Sequence, residues 1–255
     1  MDQVDVLERD VVSGLEKGLA VIEAFDEKNP KLSLTDVARL TGLTRAAARR
    51  YLLTLVKNRY ADFDGKFFWL APRVLRLGYA YLSSTALPGR LQPFLEEISG
   101  QTGESSSAGI LDGADVVYVA RSSTSRIMAV DLSVGSRLPA YCTALGRVLL
   151  AVSAPGAVKK YLKSVELVPL TPKTKHTAQE LRQIIDEVRD NGFSVVDEEL
   201  ALGLRSVAVP VFNARGEPVT SINISVAAVR MTVPDILERF LPVLLSVQKE
   251  LRRVL

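Results

Sequence analysis

The sequence predicts an α+β protein in which a winged helix-turn-helix at the N-terminus is joined to a larger domain with a largely antiparallel sheet. Three observations predict it. Two short helical patterns, "LTDVARLT" and "RAAARRYLLTLVKN", are separated by Gly42. An Asp64-Gly65 pair follows, flanked by alternating residues. Beyond Ser84 the chain alternates strands joined by short turns with helical segments, without repeats or low complexity. A chain of 255 residues suits a small domain attached to a medium one. The boundary is placed near Ser84, giving domains at residues 1–84 and 85–255.

In the first domain, "SGLEKGLAVIEAFDEK" opens with Ser13 and Glu16 in a capping-box pattern. Its apolar residues Leu15, Leu19, Ile22 and Phe25 recur at helical spacing. Ser33 caps the second helix, which stops at Gly42, the residue best suited to a left-handed C-cap. Thr44 caps the third. At about 100° per residue, Ala48, Tyr51, Leu52 and Leu55 gather on one side of this helix, facing the first two. Arg45, Ala46, Arg49 and Arg50 gather on the other. "YADF-DG-KFFWL" reads as a hairpin turning at Asp64-Gly65, with Lys66 near its tip. Phe67, Phe68 and Trp69 suit packing beneath that hairpin, and a base-stacking role is the alternative. "APRVLRLGYAYLSS" continues as a connecting helix whose Val74, Leu77, Tyr81 and Leu82 suit a partner subunit as well as the chain itself.

The formal net charge is only +3, yet Arg39 to Arg76 holds nine basic residues against two acids, a local +7, so the rest sums to −4. Phosphate contacts supply most sequence-independent affinity for DNA, and arginine can also bridge guanine acceptors. A solvated basic surface is the plainer reading of charge alone. The helix-turn-helix pattern turns the cluster into a candidate DNA-binding face of Thr44, Arg45, Ala46, Arg49, Arg50 and Lys66.

In the second domain "PGRLQPFLEEISGQTG" reads as a helix, "ESSSAGIL-DG-ADVVYVAR" as a hairpin and "RIMAVD" as a further strand. "TALGRVLLAV" is a helix capped by Thr143. "TAQELRQIIDEVRDNG" is a longer one with the capping box Thr177/Glu180 and a stop at Gly192. "FSVVD", "SVAVPVF" and "VTSINISV" are strands, and one final amphipathic helix starts at Pro234.

Several functions are disfavoured. No uninterrupted apolar run is long enough to span a bilayer, and the acidic "MDQVDVLERDVVSG" lacks the pattern of a secretory signal, so a cytoplasmic protein without membrane contact is expected. One cysteine, Cys142, and one histidine, His176, cannot build a Cys/His metal site. His176 lies in a polar loop, where solvation is the expectation. Cys142 precedes a helix start that would favour a thiolate, but with no second histidine a structural thiol is the better reading. Glu96 and Glu97 suit a solvated helix face. In "VVDEELALGLR", Asp197, Glu198 and Glu199 stand at a sheet edge where sites often form, with capping and turn duty expected for at least two. No catalytic set, metal or cofactor is indicated, so an enzyme is not expected. Two rivals remain: an α+β enzyme or ligand-storage module with a helical N-terminal domain, and a DNA binder without a ligand.

Over nearly the whole chain, from "GLEKGLAVIEAF" through "LSLTDVARLTGLTRAAARRYLLTL" to "DEELALGLRSVAVPVFNARGEPVTSINIS", the sequence resembles the IclR family of bacterial transcriptional regulators. "RIMAVDLSVGSRLPAYCTALGRVLLA" looks like the subgroup governing aromatic-acid catabolism through protocatechuate and the β-ketoadipate pathway. The resemblance implies a GAF-like effector domain, a homodimer or homotetramer, a double-stranded DNA operator and a small organic acid as effector.

A helix N-terminus favours an anion, and Thr143 with the amides of Ala144 and Leu145 offers one for a carboxylate. The resemblance places a pocket between that helix start and the sheet, adding Ser206, Asn223 and Ser225. Asn223 and Ser225 are two apart on a strand and share a face. They suit such a pocket, or a core in which they satisfy one another. Many relatives carry serine where Asn223 stands. Ala108 and Ile110 are expected to close the pocket, with Asp197 at its edge.

Overall fold

The computed structural model describes residues 7–124 and 132–255. The six N-terminal residues of the expected tail and all of the expected strand "RIMAVD" lie outside them. The chain divides into two compact units, Met1–Tyr81 and Leu82–Leu255.

The first unit contains α1 (Ser13–Glu23), β1 (Leu32–Ser33), α2 (Leu34–Thr41), α3 (Arg45–Lys57), β2 (Ala61–Phe63) and β3 (Phe67–Leu70), and α4 (Leu75–Ser84) begins within it. Its three strands are antiparallel in the order β1-β3-β2. Ser33 and Asp36 form a reciprocal capping box at the start of α2, and Gly42 ends that helix at φ 69°. Thr44 caps α3 by accepting from the Ala47 amide at 3.2 Å. Ala48 and Leu52 are fully buried, with Tyr51 and Leu55 packed beside them against Val21, Leu32, Val37 and Phe68.

Two expectations about α1 are corrected. Ser13 is the first helical residue, Val12 holds the cap position, and no side chain caps the helix. The packed face also differs in part, since of the expected residues Phe25 does pack against the core of this unit. A Cβ added at Gly14 or Gly18 would lie 3.9 Å from Tyr51, and Val21, next on the same face, is buried. Leu15 and Leu19 are exposed instead. The two glycines let α3 approach on a side that hydrophobic spacing alone does not mark.

The second unit carries a six-stranded antiparallel sheet in the order β6-β5-β4-β9-β8-β7. In chain order its elements are α5 (Leu87–Thr102), β4 (Ser105–Asp112), β5 (Asp115–Ser122), β6 (Arg137–Pro139), α6 (Ala144–Ala151) and α7 (Ala157–Ser164). Then come α8 (Ala178–Asn191), β7 (Ser194–Asp197), β8 (Leu204–Phe212), β9 (Pro218–Ala227), α9 (Val233–Arg239) and α10 (Leu241–Val254). The single C-terminal helix expected from Pro234 is thus two, broken at Phe240, which is buried.

Strand alternation sends successive side chains to opposite faces. Ile222, Ile224 and Val226 of β9 join Val207, Val209 and Val211 of β8 in one apolar core, with Leu91 and Leu95 of α5 and Leu244 and Val247 of α10. On the other face α6 packs with α8 against the sheet, burying Leu145, Val148, Leu181 and Ile185. Thr143 caps α6 by accepting from the Gly146 amide at 3.2 Å. Thr177 caps α8 in the same way, accepting from the Glu180 amide at 3.2 Å. Its hydroxyl also donates to the Glu180 carboxylate at 2.6 Å.

Candidate functional site

Two places in the structure carry the candidate chemistry, one in each unit. In the first unit, Thr44, Arg45, Ala46, Arg49, Arg50 and Lys66 are all exposed. Arg45, Arg49 and Arg50 make no ion pair among the described residues, so their guanidinium groups are available to another molecule. Arg50 also borders a groove with Lys17, Thr44, Ala47 and Tyr51. The wing turn is held by Asp64, whose carboxylate accepts from the amides of Lys66 at 2.9 Å and Phe67 at 2.8 Å. Those two bonds hold its carboxyl below the usual range. Of the wing aromatics, Phe68 is buried and stacked on Phe63 at 4.2 Å. Phe67 and Trp69 are half-buried, with Lys66 over the first ring and Lys31 over the second.

In the second unit a cavity of about 20 Å³ lies between the start of α6 and the sheet. Thr143, Ala144, Ser206, Asn223 and Ser225 line it, so five of the nine candidate effector residues come together. The strand register explains the polar floor: Ser206 pairs with Ser225 and Ala208 with Asn223, which puts both β9 side chains on the α6 face. Asn223 donates from Nδ2 to Ser225 Oγ at 3.1 Å, and its buried Oδ1 has no partner among the described residues. The Thr143 hydroxyl is already engaged, donating to Pro139 O at 3.1 Å while it caps α6. An anion at this helix start would therefore meet the amides of Ala144 and Leu145 rather than that hydroxyl.

The other four candidates lie elsewhere. Ala108 pairs with Ile222, so it faces the opposite core, and Ile110 packs against that core too. Neither closes the cavity. The expectation counted them as pocket residues without knowing the register that turns them away. Leu145 sends its side chain into the apolar layer beside Gly109 and Val116 and does not line the cavity. Asp197 follows the cavity residue Val196 and so points to the other face, where Arg205 and Lys173 hold its carboxylate below the usual range.

Sequence reasoning missed Tyr118, Leu132, Val196, Leu200 and Leu204, which complete the wall with Cys142. Only strand pairing or a loop brings them there. Burial pushes the Cys142 thiol up to about 12, so it is a neutral structural group. The Tyr118 phenol is likewise raised to about 12 by burial. Among the described residues, no lining side chain carries a charge near neutral pH. His176 is exposed, its Nδ1 3.0 Å from Thr174 O, and no metal-binding cluster occurs among the described residues. No helix among them is long and apolar enough to cross a membrane.

Behind the cavity is a buried ion pair. Arg147, one turn into α6, binds Glu199 through two hydrogen bonds of 2.7 and 2.6 Å and donates from Nε to Tyr141 O at 2.8 Å. Both side chains are nearly inaccessible. Glu199 precedes the cavity residue Leu200, so the pair ties the loop after β7 to the helix whose start lines the cavity.

Comparison with known families decides what this arrangement belongs to. Residues 14–65 match the IclR helix-turn-helix domain, and residues 79–252 match the bacterial transcriptional regulator IclR C-terminal domain. The chain belongs to the IclR family. It is 44% identical over 243 residues to the Pca regulon regulatory protein of Pseudomonas putida, covering 95% of this chain and 84% of that one. A transcriptional regulator structure from Rhodococcus sp. RHA1 shares 48% identity with a TM-score of 0.79, covering 95% of this chain and 97% of that chain. The inducer-binding domain of PobR from Acinetobacter, a double mutant in complex with 3-hydroxybenzoic acid, aligns at 31% identity with a TM-score of 0.62. That match covers 66% of this chain and 98% of that one. The N-terminal match covers the family's helix-turn-helix domain, and α3, which carries the exposed arginines, lies within it.

Proposed function

We propose that this IclR regulator binds a DNA operator through α3 and the wing, and responds to a small organic acid in the cavity at the start of α6, controlling aromatic-compound catabolism of the protocatechuate or β-ketoadipate type. The observation that carries the reading is α3 itself, with Arg45, Arg49 and Arg50 exposed and unengaged beside the small Ala46. Such a face admits close approach of a duplex and offers forks for guanine edges or phosphates. The pathway assignment rests on the likeness to the Pca regulon protein and to the PobR domain, which holds a hydroxybenzoic acid.

The cavity is smaller than its proposed ligand, since a void of roughly 150 Å³ is what accommodates benzene. Acid binding therefore requires the cavity to enlarge, and it shifts DNA affinity only by its preference for the enlarged form. Footprinting with the full chain on its own upstream region tests the reading. The parent should protect a discrete site, and protocatechuate, β-ketoadipate or a hydroxybenzoate should change the protein concentration required. Arg45→Ala/Arg49→Ala should lose about 1–3 kcal/mol of specific binding for each guanine contact removed. Lys66→Ala should weaken all sequences alike and flatten the salt dependence. A double variant that still separates operator from random DNA as the parent does would remove α3 from the interface.

A further inference from the structure

A ligand larger than the cavity needs one of its walls to give way, and the two walls are held very differently. On one side α6 buries all eight of its residues. Ser221 Oγ donates to Leu145 O at 3.3 Å, and a Cβ at Gly146 would fall 2.3 Å from Ala140 O, so this helix has little room to shift. On the other side Leu200 stands on the loop 198–203 between β7 and β8, which holds neither helix nor strand. Leu202 at its tip is 58% exposed. Segment 165–177, which joins α7 to α8 and is equally irregular, is fastened to that loop. Thr171 Oγ1 donates to Glu198 O at 2.8 Å, Thr174 Oγ1 to Glu199 O at 2.6 Å and the Lys175 amide to Glu199 Oε2 at 2.9 Å. Val168 and Leu170 of the same segment are exposed. Loop and segment therefore make one irregular layer with its outer side in solvent, and elements of that kind open locally at the least cost.

Tyr141 and Arg147 tie this layer to the α6 side. Tyr141 Oη donates to Val168 O at 2.7 Å and accepts from the Val168 amide at 3.2 Å. Arg147 donates from Nε to the carbonyl of Tyr141 and from both terminal nitrogens to Glu199. The residues that accept from it immediately precede Cys142 and Leu200, one lining residue from each wall. One guanidinium thus fixes the separation of the two walls. An outward movement of Leu200 that widens the cavity draws Glu199 off Arg147, and separating two buried charges is costly.

We propose that loop 198–203 and segment 165–177 form a lid over the cavity, and that Arg147 and Glu199 are positioning residues that latch it shut in the free protein. What the lid admits rests on the proposed effector reading, whereas the latch is a property of the chain alone. A protein whose binding-competent form is sparsely populated binds with its affinity reduced by that population. The latch therefore sets the concentration of acid at which the regulator responds, without touching the acid.

Hydrogen exchange and calorimetry on the full chain test it, comparing the parent with Glu199→Gln and with Thr171→Val, which loses one tie of the lid and keeps both charges. Exchange in peptides 165–177 and 198–203 should rise together by about tenfold or more in Glu199→Gln, while 144–151 stays within about twofold. Thr171→Val should move the same two peptides by a smaller factor. Calorimetry with 4-hydroxybenzoate and 3,4-dihydroxybenzoate supplies a readout that a merely structural pair would not move in this direction. An acid that binds the parent should bind both variants more tightly, about threefold or more in Glu199→Gln, although their melting temperatures fall. Should Glu199→Gln not fold, Thr171→Val carries the same signs. Equal or weaker binding by the folded variants overturns the latch, as does exchange that is unchanged in the two lid peptides or rises equally in 144–151. If neither acid binds any of the proteins, the effector reading falls and the exchange pattern alone decides the latch.

Discussion

At the residue scale, the feature of largest energetic consequence is Arg147 bound to Glu199. Two charges taken out of water are tolerated because both guanidinium branches meet the carboxylate, Nε meets Tyr141 O, and the Lys175 amide donates to Glu199 Oε2 at 2.9 Å. Removing one partner strands the other in the interior. Glu199→Ala should therefore lower stability by about 3–5 kcal/mol in urea unfolding, whereas Arg147→Met/Glu199→Leu together should recover most of that loss. If single and double variants unfold alike, the pair is not carrying buried charge. This residue pair was not legible in the sequence. Arg147 in "ALGRVLLA" looks like a surface arginine interrupting an apolar helix, and its partner is 52 residues away. The carboxylate run at 197–199 reads in the sequence as the edge of a site, with turn and cap duty for at least two of its three members. Glu198 does turn the chain, at φ 59°, accepting from the Gly203 amide at 3.1 Å, while Glu199 takes the buried role.

At the element scale the caps were legible, because a cap is a local event: Ser33, Thr44, Thr143 and Thr177 each accept from an amide three residues on. The face of α1 was not, because two glycines and not its leucines meet α3. The cavity divides the same way. Its helix start was readable from a threonine and its β9 floor from the family resemblance with a two-residue spacing in support, but Tyr118 and Leu204 come from strand pairing that no local pattern records. Gly146 shows how closely α6 is seated. A Cβ there would fall 2.3 Å from Ala140 O and 2.4 Å from its Cα, so the helix must shift to admit it. Alanine favours a helix over glycine by about 0.8–1.0 kcal/mol, but an overlap with backbone outweighs that gain. Gly146→Ala should thus destabilise by about 1–3 kcal/mol. Gly78→Ala in α4, where nothing lies within 4 Å of the added carbon, should be neutral or stabilising. Paired thermal melts would decide, and a stable Gly146→Ala would mean that α6 is more loosely held than described.

At the scale of the whole molecule, α4 buries none of its side chains, and Leu75 and Tyr79 are 71% and 70% exposed. Leu75, Tyr79 and Leu82 recur at the spacing of one helical face, with Leu77 and Tyr81 also exposed. Exposed apolar surface of this kind is suited to association between copies of the chain. Light scattering of the full chain should accordingly give a dimer or tetramer, and Leu75→Glu/Tyr79→Glu should shift it toward monomer and weaken operator binding. A parent that is monomeric at micromolar concentration with undiminished DNA affinity would rule this out. A symmetric assembly also expects a pseudo-palindromic site, because two recognition helices then read matching halves.

The alternation along β9 separates two kinds of heritable change. Ile222, Ile224 and Val226 face one way and hold the domain together, while Asn223 and Ser225 between them face the cavity. Substitutions at Asn223 or Ser225 can therefore change the polarity of the cavity without touching the side chains that fill the apolar core. One strand of ten residues thus carries two nearly independent sets of constraints, one on packing and one on the chemistry of the cavity floor.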